Sequence, residues 1–292
     1  MNGFPEDENL HQHAFFGAGR LSSINSYGYS PYPLSNYLAW IKEILAEHPN
    51  SKKPFIISIT GSADEVEQCF LQIQTVRNEL GLPSETGSDI AIEINLSCPN
   101  IPRVPPPAYS TESLLPYLIV TKRYYLEDPT LTIGLKLPPY TYETQFNALV
   151  CATWRKRTDQ GIAFLTSTNT LGSGLVFQDQ LESSNATGFA VSPGWGGLGG
   201  TTIHPLSVGN VAKLVSLLET PTLATKYKLA QPGDNDPTDH AIVVIGVGGI
   251  NDATTYNHFR SVGAVAGEVG TALGVEGVVI FEKICRDASL VD

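Results

Sequence analysis

Short apolar runs alternate with longer amphipathic stretches along most of the chain. The short runs are rich in Ile, Leu and Val and nearly continuous in apolarity, which is typical of strands buried on both faces. They predict six strands, at Phe55–Thr60, Ile90–Leu96, Leu131–Leu137, Ala163–Ser167, Ala241–Val247 and Ala264–Val269. Helical spacing predicts helices at Leu34–Glu47, Ala63–Leu80, Thr111–Tyr125, Tyr142–Arg157, His204–Leu218, Ala253–Val262 and Val275–Arg286.

Strands that alternate with helices imply parallel βαβ units. No linker interrupts the series, so residues 1–292 are predicted to form a single domain. Within it, we expect residues 1–20 to be an irregular leader and the polar segment 222–239 to be a surface insertion. Six strands fit either an open doubly wound sheet or an eight-stranded barrel that lacks two strands. Periodicity does not separate these two α/β architectures.

Composition narrows the function classes. Hydrophobic residues make up 42% and charged residues 16%, which supports a substantial core. The net charge of -11 and the absence of a long basic run argue against a nucleic-acid partner. No secretory signal and no apolar stretch of about 18 residues is present, so we expect a cytoplasmic protein without a membrane span. The four cysteines form no CxxC pair, so we predict neither a disulfide framework nor a metal site.

Two glycine motifs end the last two predicted strands, at Gly248-Gly249 and Gly270-Thr271. In barrels, the loops after the last two strands often hold a phosphate, because glycine lets backbone N–H groups approach its oxygens. Either motif alone is typical of an ordinary turn. The pair at this location predicts phosphate binding.

Lys136 and Cys98 are the two candidate reactive side chains. Lys136 lies on a strand otherwise made of Leu, Ile, Thr and Gly, on the same face as Gly134, where a ligand would find room. Its charge could stabilise a developing anion, although a strand-end lysine more often reaches solvent. Cys98 lies in a polar turn at a strand end, where a thiol of pKa about 8.5 can act as a base. A lone cysteine is more often a small buried hydrophobe.

Four asparagines, each at a loop or strand end, are the third signal. Amide groups carry both donors and acceptors without charge, so a converging set would suit a planar ring with alternating C=O and N–H groups. Taken singly, each could merely cap a turn. The four are Asn25, Asn95, Asn100 and Asn169.

These motifs together resemble the dihydroorotate dehydrogenase family, and the match covers roughly Ser22 to Arg286. Asn95-Leu-Ser-Cys-Pro-Asn100 is the most specific string. Cysteine at position 98 resembles the soluble class 1. Gly194–Gly200 resembles the homodimeric, fumarate-using class 1A more than the alternative subclass that uses NAD and an iron–sulfur partner subunit. Further motifs in family order are Asn25–Tyr29, Gly134–Pro139, Asn169–Gly172, Ile245–Gly249 and Gly270–Leu273.

The resemblance implies a TIM (β/α)₈ barrel with FMN at its carboxyl end and dihydroorotate and fumarate as substrates of a homodimer in pyrimidine biosynthesis. Cys98 would be the catalytic base. The implied substrate-binding residues are Asn25, Ser26, Tyr27, Gly28, Tyr29, Asn95, Asn100, Asn169 and Thr170. The implied cofactor-binding residues are Asn95, Lys136, Thr168, Gly200, Gly248, Gly249, Gly270 and Thr271. The loop Ile101–Tyr109 would be the lid.

The sequence departs from the family before the Asn25 segment. Members carry about two further barrel strands there and a lysine that contacts FMN, whereas this sequence has no lysine before Lys42. We therefore expect a barrel without its first two strands, and weak flavin retention. Three alternatives stay open beside an active enzyme: an impaired fragment, a pseudoenzyme, and a flavin oxidoreductase acting on another dihydropyrimidine.

Overall fold

The computed structural model describes residues 11–83, 89–98, 100, 105–153, 161–181, 186–192, 194–219 and 242–287. Ten strands and eight helices are present in these ranges. The strands are β1 (His13–Phe16), β2 (Ser22–Asn25), β3 (Phe55–Ile59), β4 (Ile90–Asn95), β5 (Ile133–Leu137), β6 (Ile162–Ser167), β7 (Leu171–Leu175), β8 (Trp195–Gly200), β9 (Val243–Val247) and β10 (Ala266–Glu268). The helices are α1 (Leu34–Glu47), α2 (Ala63–Glu79), α3 (Thr111–Glu127), α4 (Glu143–Thr153), α5 (His204–Glu219), α6 (Ala253–Ser261), α7 (Thr271–Glu276) and α8 (Val279–Asp287).

The six predicted strands form one parallel sheet in the order β10-β9-β6-β5-β4-β3. This order follows the chain without reversal, whereas a doubly wound sheet reverses at a switch point. The sheet is also curled. Lys136 on β5 and Glu268 on β10 bond to each other, although two strands lie between them. The architecture is therefore a curled, TIM-barrel-like α/β sheet of six strands, as expected for a barrel without two strands.

The outer face of this sheet is apolar and covered by helices. Its central positions, such as Ile94 and Leu135, are completely buried in one hydrophobic core. The fully buried Arg77 ties α2 to the sheet, because its guanidinium donates to Asp89 at 2.6 Å and to the Ile90 carbonyl at 2.7 Å. These contacts fix the starts of the strands and leave the carboxyl ends free to build a site.

The inner face is polar at the carboxyl ends of the strands and apolar towards their amino ends. Phe164 fills the apolar part, and a Cβ on Gly134 would lie 2.1 Å from the Phe164 ring. The expectation that the space beside Gly134 is free for a ligand is therefore wrong. Glycine is needed there so that Phe164 can fill the barrel interior.

A second, antiparallel sheet of four strands, β1-β2-β8-β7, was not predicted. This sheet corrects the prediction that residues 1–20 form an irregular leader, because His13–Phe16 form a strand that pairs with Ser22–Asn25. Gly200 permits the pairing of β2 with β8, because a Cβ there would lie 2.0 Å from the Leu21 carbonyl oxygen. Residues 1–10, the predicted insertion 222–239 and residues 101–104 of the predicted lid lie outside the described residues.

The last predicted helix is also corrected. Val275–Arg286 is not one helix, because Gly277 adopts a φ of 66° between α7 and α8. Among the described residues, no helix has both the length and the apolar character needed to cross a bilayer.

Candidate functional site

Four predicted asparagines converge at the carboxyl edge of the parallel sheet. Asn25 ends β2 and Asn95 ends β4, while Asn100 and Asn169 lie in the loops that follow β4 and β6. Ser97 joins them through hydrogen bonds. We call Asn25, Asn95, Ser97, Asn100 and Asn169 the amide cluster.

Hydrogen bonds within the amide cluster fix the side chains in two groups. The Asn100 Nδ2 donates to the Asn25 Oδ1 at 3.2 Å and to the Tyr27 carbonyl at 2.7 Å. The Asn169 Nδ2 donates to the Ser97 Oγ at 2.9 Å, and this hydroxyl donates to the Asn95 Oδ1 at 2.8 Å. All these groups are neutral, so the cluster offers polarity without charge.

Cys98 borders a cavity of about 230 Å³, together with Asn95 and Ser97 of the amide cluster. Tyr29, Thr60 and Glu65 line the same cavity. Burial raises the pKa of the Cys98 thiol above its ordinary value, and a hydrogen bond with the Asn100 backbone opposes that rise. The thiol is therefore protonated at neutral pH, and the thiolate that can act as a base forms at higher pH.

The predicted segment Ser26–Tyr29 divides between two environments. The Ser26 Oγ accepts from the Gln12 backbone N–H at 3.0 Å, and the Tyr27 hydroxyl lies 2.7 Å from the His13 Nδ1. Both side chains therefore hold the strand β1 in place. Gly28 and Tyr29 line a groove of about 440 Å³ beside α1 and β3, and Tyr29 also lines the cavity beside Cys98.

A second cavity, of about 180 Å³, brings the predicted cofactor residues together. Seven of the eight line it, and the exception is Asn95, which lies in the amide cluster. Asn169 and Thr170 also line this cavity, so it adjoins the amide cluster. The seven are Lys136, Thr168, Gly200, Gly248, Gly249, Gly270 and Thr271.

Close contacts require glycine at Gly200, Gly248 and Gly249 of this cavity. A Cβ on Gly249, whose φ is 73°, would lie 2.7 Å from the Gly200 carbonyl oxygen. The His204 Nδ1 lies 2.8 Å from the Gly248 carbonyl oxygen and fixes the turn. A Cβ on Gly270 would meet no atom within 4 Å, so open space adjoins the backbone there. Backbone N–H groups beside open space fit the phosphate of a mononucleotide.

Three ionisable side chains, Lys136, Glu93 and Glu268, interact on the inner face, and we call them the charge cluster. The Lys136 Nζ donates to the Glu268 Oε2 at 2.8 Å. Burial disfavours the charged lysine, but Glu93 and Glu268 outweigh this effect and raise the pKa of Lys136. Burial raises the pKa of Glu93, with Glu268 adding to the rise and Lys136 opposing it. Lys136 is therefore a charged, paired lysine rather than one that reaches solvent.

Three residues of these clusters were not among the predicted site residues. Ser97 could have been included, because it lies within the Asn95–Asn100 motif between two predicted ligands. Glu93 could have been noticed as a carboxylate inside an apolar strand. Nothing in the sequence around Glu268 indicated its role, because its partner Lys136 is 132 positions away.

Comparison with known proteins indicates the family of this chain. The family model described as dihydroorotate dehydrogenase matches residues 16–224. A Streptococcus pyogenes serotype M3 protein named "Putative dihydroorotate dehydrogenase A (fumarate)" is 29% identical over 271 residues, which cover 92% of this chain and 72% of the relative. A Streptococcus agalactiae serotype Ia protein of the same name is 31% identical over 269 residues, which cover 91% of this chain and 71% of the relative.

Proposed function

Because this chain belongs to the dihydroorotate dehydrogenase family, a family of oxidoreductases, we propose that it oxidises (S)-dihydroorotate to orotate in pyrimidine biosynthesis. The proposal includes FMN as hydride acceptor, fumarate as terminal acceptor and a cytoplasmic homodimer. One observation supports the proposed function most strongly. The neutral amide cluster around Cys98 adjoins a glycine-lined cavity that contains Lys136.

The residues of the 180 Å³ cavity fit FMN. Gly248, Gly249, Gly270 and Thr271 would hold its phosphate through backbone N–H groups, and the open space beside Gly270 supports this assignment. Lys136 would supply positive charge at the ring. FMN, when bound, supplies the acceptor for the hydride that leaves C6 of the substrate.

The amide cluster would orient the substrate ring. Asn25, Asn95, Asn100 and Asn169 carry donors and acceptors that can match its C=O and N–H groups, and Thr170 would assist them. Since the amides now bond to one another, a ring would exchange neutral hydrogen bonds for neutral hydrogen bonds, at little net cost. Correct orientation places the C5–H bond against Cys98.

Cys98 would act as the base that takes the proton from C5. Two electrons leave C6 with the hydride, so C5 and C6 become joined by the double bond of orotate and one proton stays on the Cys98 sulfur. Removal of that proton to solvent regenerates the thiolate. Because burial raises the pKa of this thiol, the rate should rise with pH.

The proposed homodimer has support from exposed aromatic side chains on and beside the antiparallel sheet. Phe177 and Phe189 are each 48% exposed and Trp195 is 63% exposed. Exposed aromatic groups are enriched at protein–protein interfaces. Trp195→Gln should shift the mass measured by light scattering from dimer towards monomer, whereas Tyr142→Gln, an exposed aromatic elsewhere, should not.

The deciding experiment is an absorption spectrum of the protein with FMN, recorded before and after anaerobic addition of dihydroorotate. Bands of bound flavin that bleach with dihydroorotate and return with fumarate are expected. Bleaching by dihydrouracil instead would favour another dihydropyrimidine as substrate. If no flavin is retained even in excess FMN, the proposed function is wrong.

A further inference from the structure

The ion pair between Lys136 and Glu268 spans the curled sheet. Lys136 lies on β5 and Glu268 on β10, and the strands β6 and β9 lie between them. In a flat sheet the backbones of β5 and β10 would be about 14 Å apart, at about 4.8 Å per strand. The Nζ–Oε2 distance of 2.8 Å therefore depends on the curl, and it joins the two sides of the barrel mouth.

The pair lies at the wall of the glycine-lined cavity. Lys136 is itself a lining residue, and so are Gly270 and Thr271, which follow β10 and its Glu268. An ammonium group has three donors, and Glu268 takes one of them. Among the described residues no other acceptor bonds to it, so the other two donors can bind a ligand in the cavity.

Glu93 makes the balance of charge unusual. Its side chain is buried on β4, where the Oε1 accepts from the Ser58 Oγ at 3.1 Å. Its Oε2 accepts no hydrogen bond from the described residues, and the neighbouring Thr166 side chain favours the charged form of the carboxyl group. Two carboxyl groups thus face one ammonium, and Glu268 is the one bonded to it.

We infer that Glu268 is a positioning residue that holds the Lys136 ammonium across the barrel mouth and limits the positive charge presented to a bound flavin ring. The reference to flavin rests on the proposed function. A long lysine side chain has many rotamers, and the ion pair selects those that border the cavity. The Glu268 carboxylate offsets part of the lysine's field, so it disfavours negative charge on a reduced ring.

The first test uses the protein without added flavin. Lysine labelled with ¹³C at Cε reports the Lys136 pKa by NMR, with Lys136→Arg to assign the signal. Glu268→Gln should lower that pKa, because it removes the bonded carboxylate. Glu268→Asp keeps the charge with a shorter reach, should give an intermediate value, and serves as well if the Gln variant does not fold. Glu79→Gln, which breaks the exposed Lys42–Glu79 pair, is the matched control and should leave the Lys136 signal unchanged.

The second test measures the reduction potential of bound FMN. Glu268→Gln should strengthen binding of reduced relative to oxidised flavin about tenfold, which raises a two-electron potential by about 30 mV. In a Lys136→Gln background, the same change should have a smaller effect, because Glu268 acts through Lys136. A merely structural ion pair would alter stability without moving the potential.

The two tests separate the possible failures. An unchanged Lys136 pKa in Glu268→Gln overturns the positioning role, whatever flavin does. A shifted pKa with an unchanged potential, or a full potential shift that persists without Lys136, overturns the action on flavin. If the wild-type protein binds no flavin at all, the proposed function fails, and the lysine titration still decides whether Glu268 positions Lys136.

Discussion

The amide cluster and the charge cluster lie at the same edge of one sheet but differ in how their polar groups are satisfied. In the amide cluster, neutral groups bond to one another, as when the Asn169 Nδ2 donates to the Ser97 Oγ at 2.9 Å. In the charge cluster, one ion pair stands beside a buried carboxyl oxygen of Glu93 without a hydrogen-bond partner among the described residues. Neutral groups can exchange partners cheaply, whereas a buried charge cannot lose its partner without a large cost. We therefore expect changes in the first cluster to affect substrate chemistry, and changes in the second to affect stability and cofactor binding.

The largest expected effect is on chemistry, at Cys98. Cys98→Ala should leave flavin binding intact and slow flavin reduction by dihydroorotate about 10²–10⁴-fold, because the base is removed. Stopped-flow absorbance under anaerobic conditions measures this rate. The Cys98→Ser variant should reduce flavin at a rate between those of the unchanged protein and of Cys98→Ala, and it should require a higher pH.

The matched control for Cys98 is Cys285→Ala, because Cys285 is an exposed cysteine on α8. Its rate should equal that of the unchanged protein. A Cys98→Ala variant that reduces flavin at the normal rate would remove Cys98 as the base and leave the amide cluster as a binding element only.

The next largest effect is expected from a change in the charge cluster. Lys136→Met leaves the Glu93 and Glu268 carboxyl groups without their cation, so the free energy of unfolding should fall by about 3 kcal/mol. FMN binding should weaken as well. Urea unfolding at pH 7 and a flavin titration measure the two quantities, with the exposed Lys42→Met as control. Equal stability of the two variants would mean that the ion pair across the barrel is not structural.

A smaller effect is expected when a neutral amide is removed. Asn169→Ala deletes the hydrogen bond to Ser97 and should raise KM for dihydroorotate about tenfold while the free energy of unfolding changes by about 1 kcal/mol. Steady-state kinetics and urea unfolding test this, with Asn257→Ala on α6 as control. A loss of stability as large as that of Lys136→Met would contradict the distinction between the clusters.

The sequence predicted the parallel sheet because its strands are buried on both faces and therefore read as continuous apolar runs, as in Ile90–Asn95. It also predicted that Cys98 and the asparagines gather at strand ends, since the carboxyl edge of a parallel sheet collects them. The family motifs gave the candidate roles. Local pattern and chain order were enough for these conclusions.

The antiparallel sheet was missed because its strands carry no such pattern. Trp195–Gly200 contains four glycines, which usually indicate turns, yet here glycine permits the close approach of β2 to β8. The role of Gly134 was misjudged for a related reason, since Phe164 fills the space beside it. Both depend on contacts between distant segments, as does the pairing of Lys136 with Glu268, and such contacts leave no trace in local periodicity.

The smallest expected effect concerns pH and Glu93. Burial raises the pKa of Glu93 in the folded protein above its unfolded value, with Glu268 adding to the rise and Lys136 opposing it. The folded state therefore binds this proton more tightly than the unfolded state. The resulting stability is fully present below the unfolded pKa of about 4.3 and is lost as pH rises through the higher folded pKa. Glu93→Gln should abolish this dependence, so the unchanged protein should lose stability relative to the variant as the pH rises from 5 to 8. Urea unfolding at both pH values measures it, and a difference that stays constant would mean that Glu93 is charged throughout and paired with Lys136 as closely as Glu268 is.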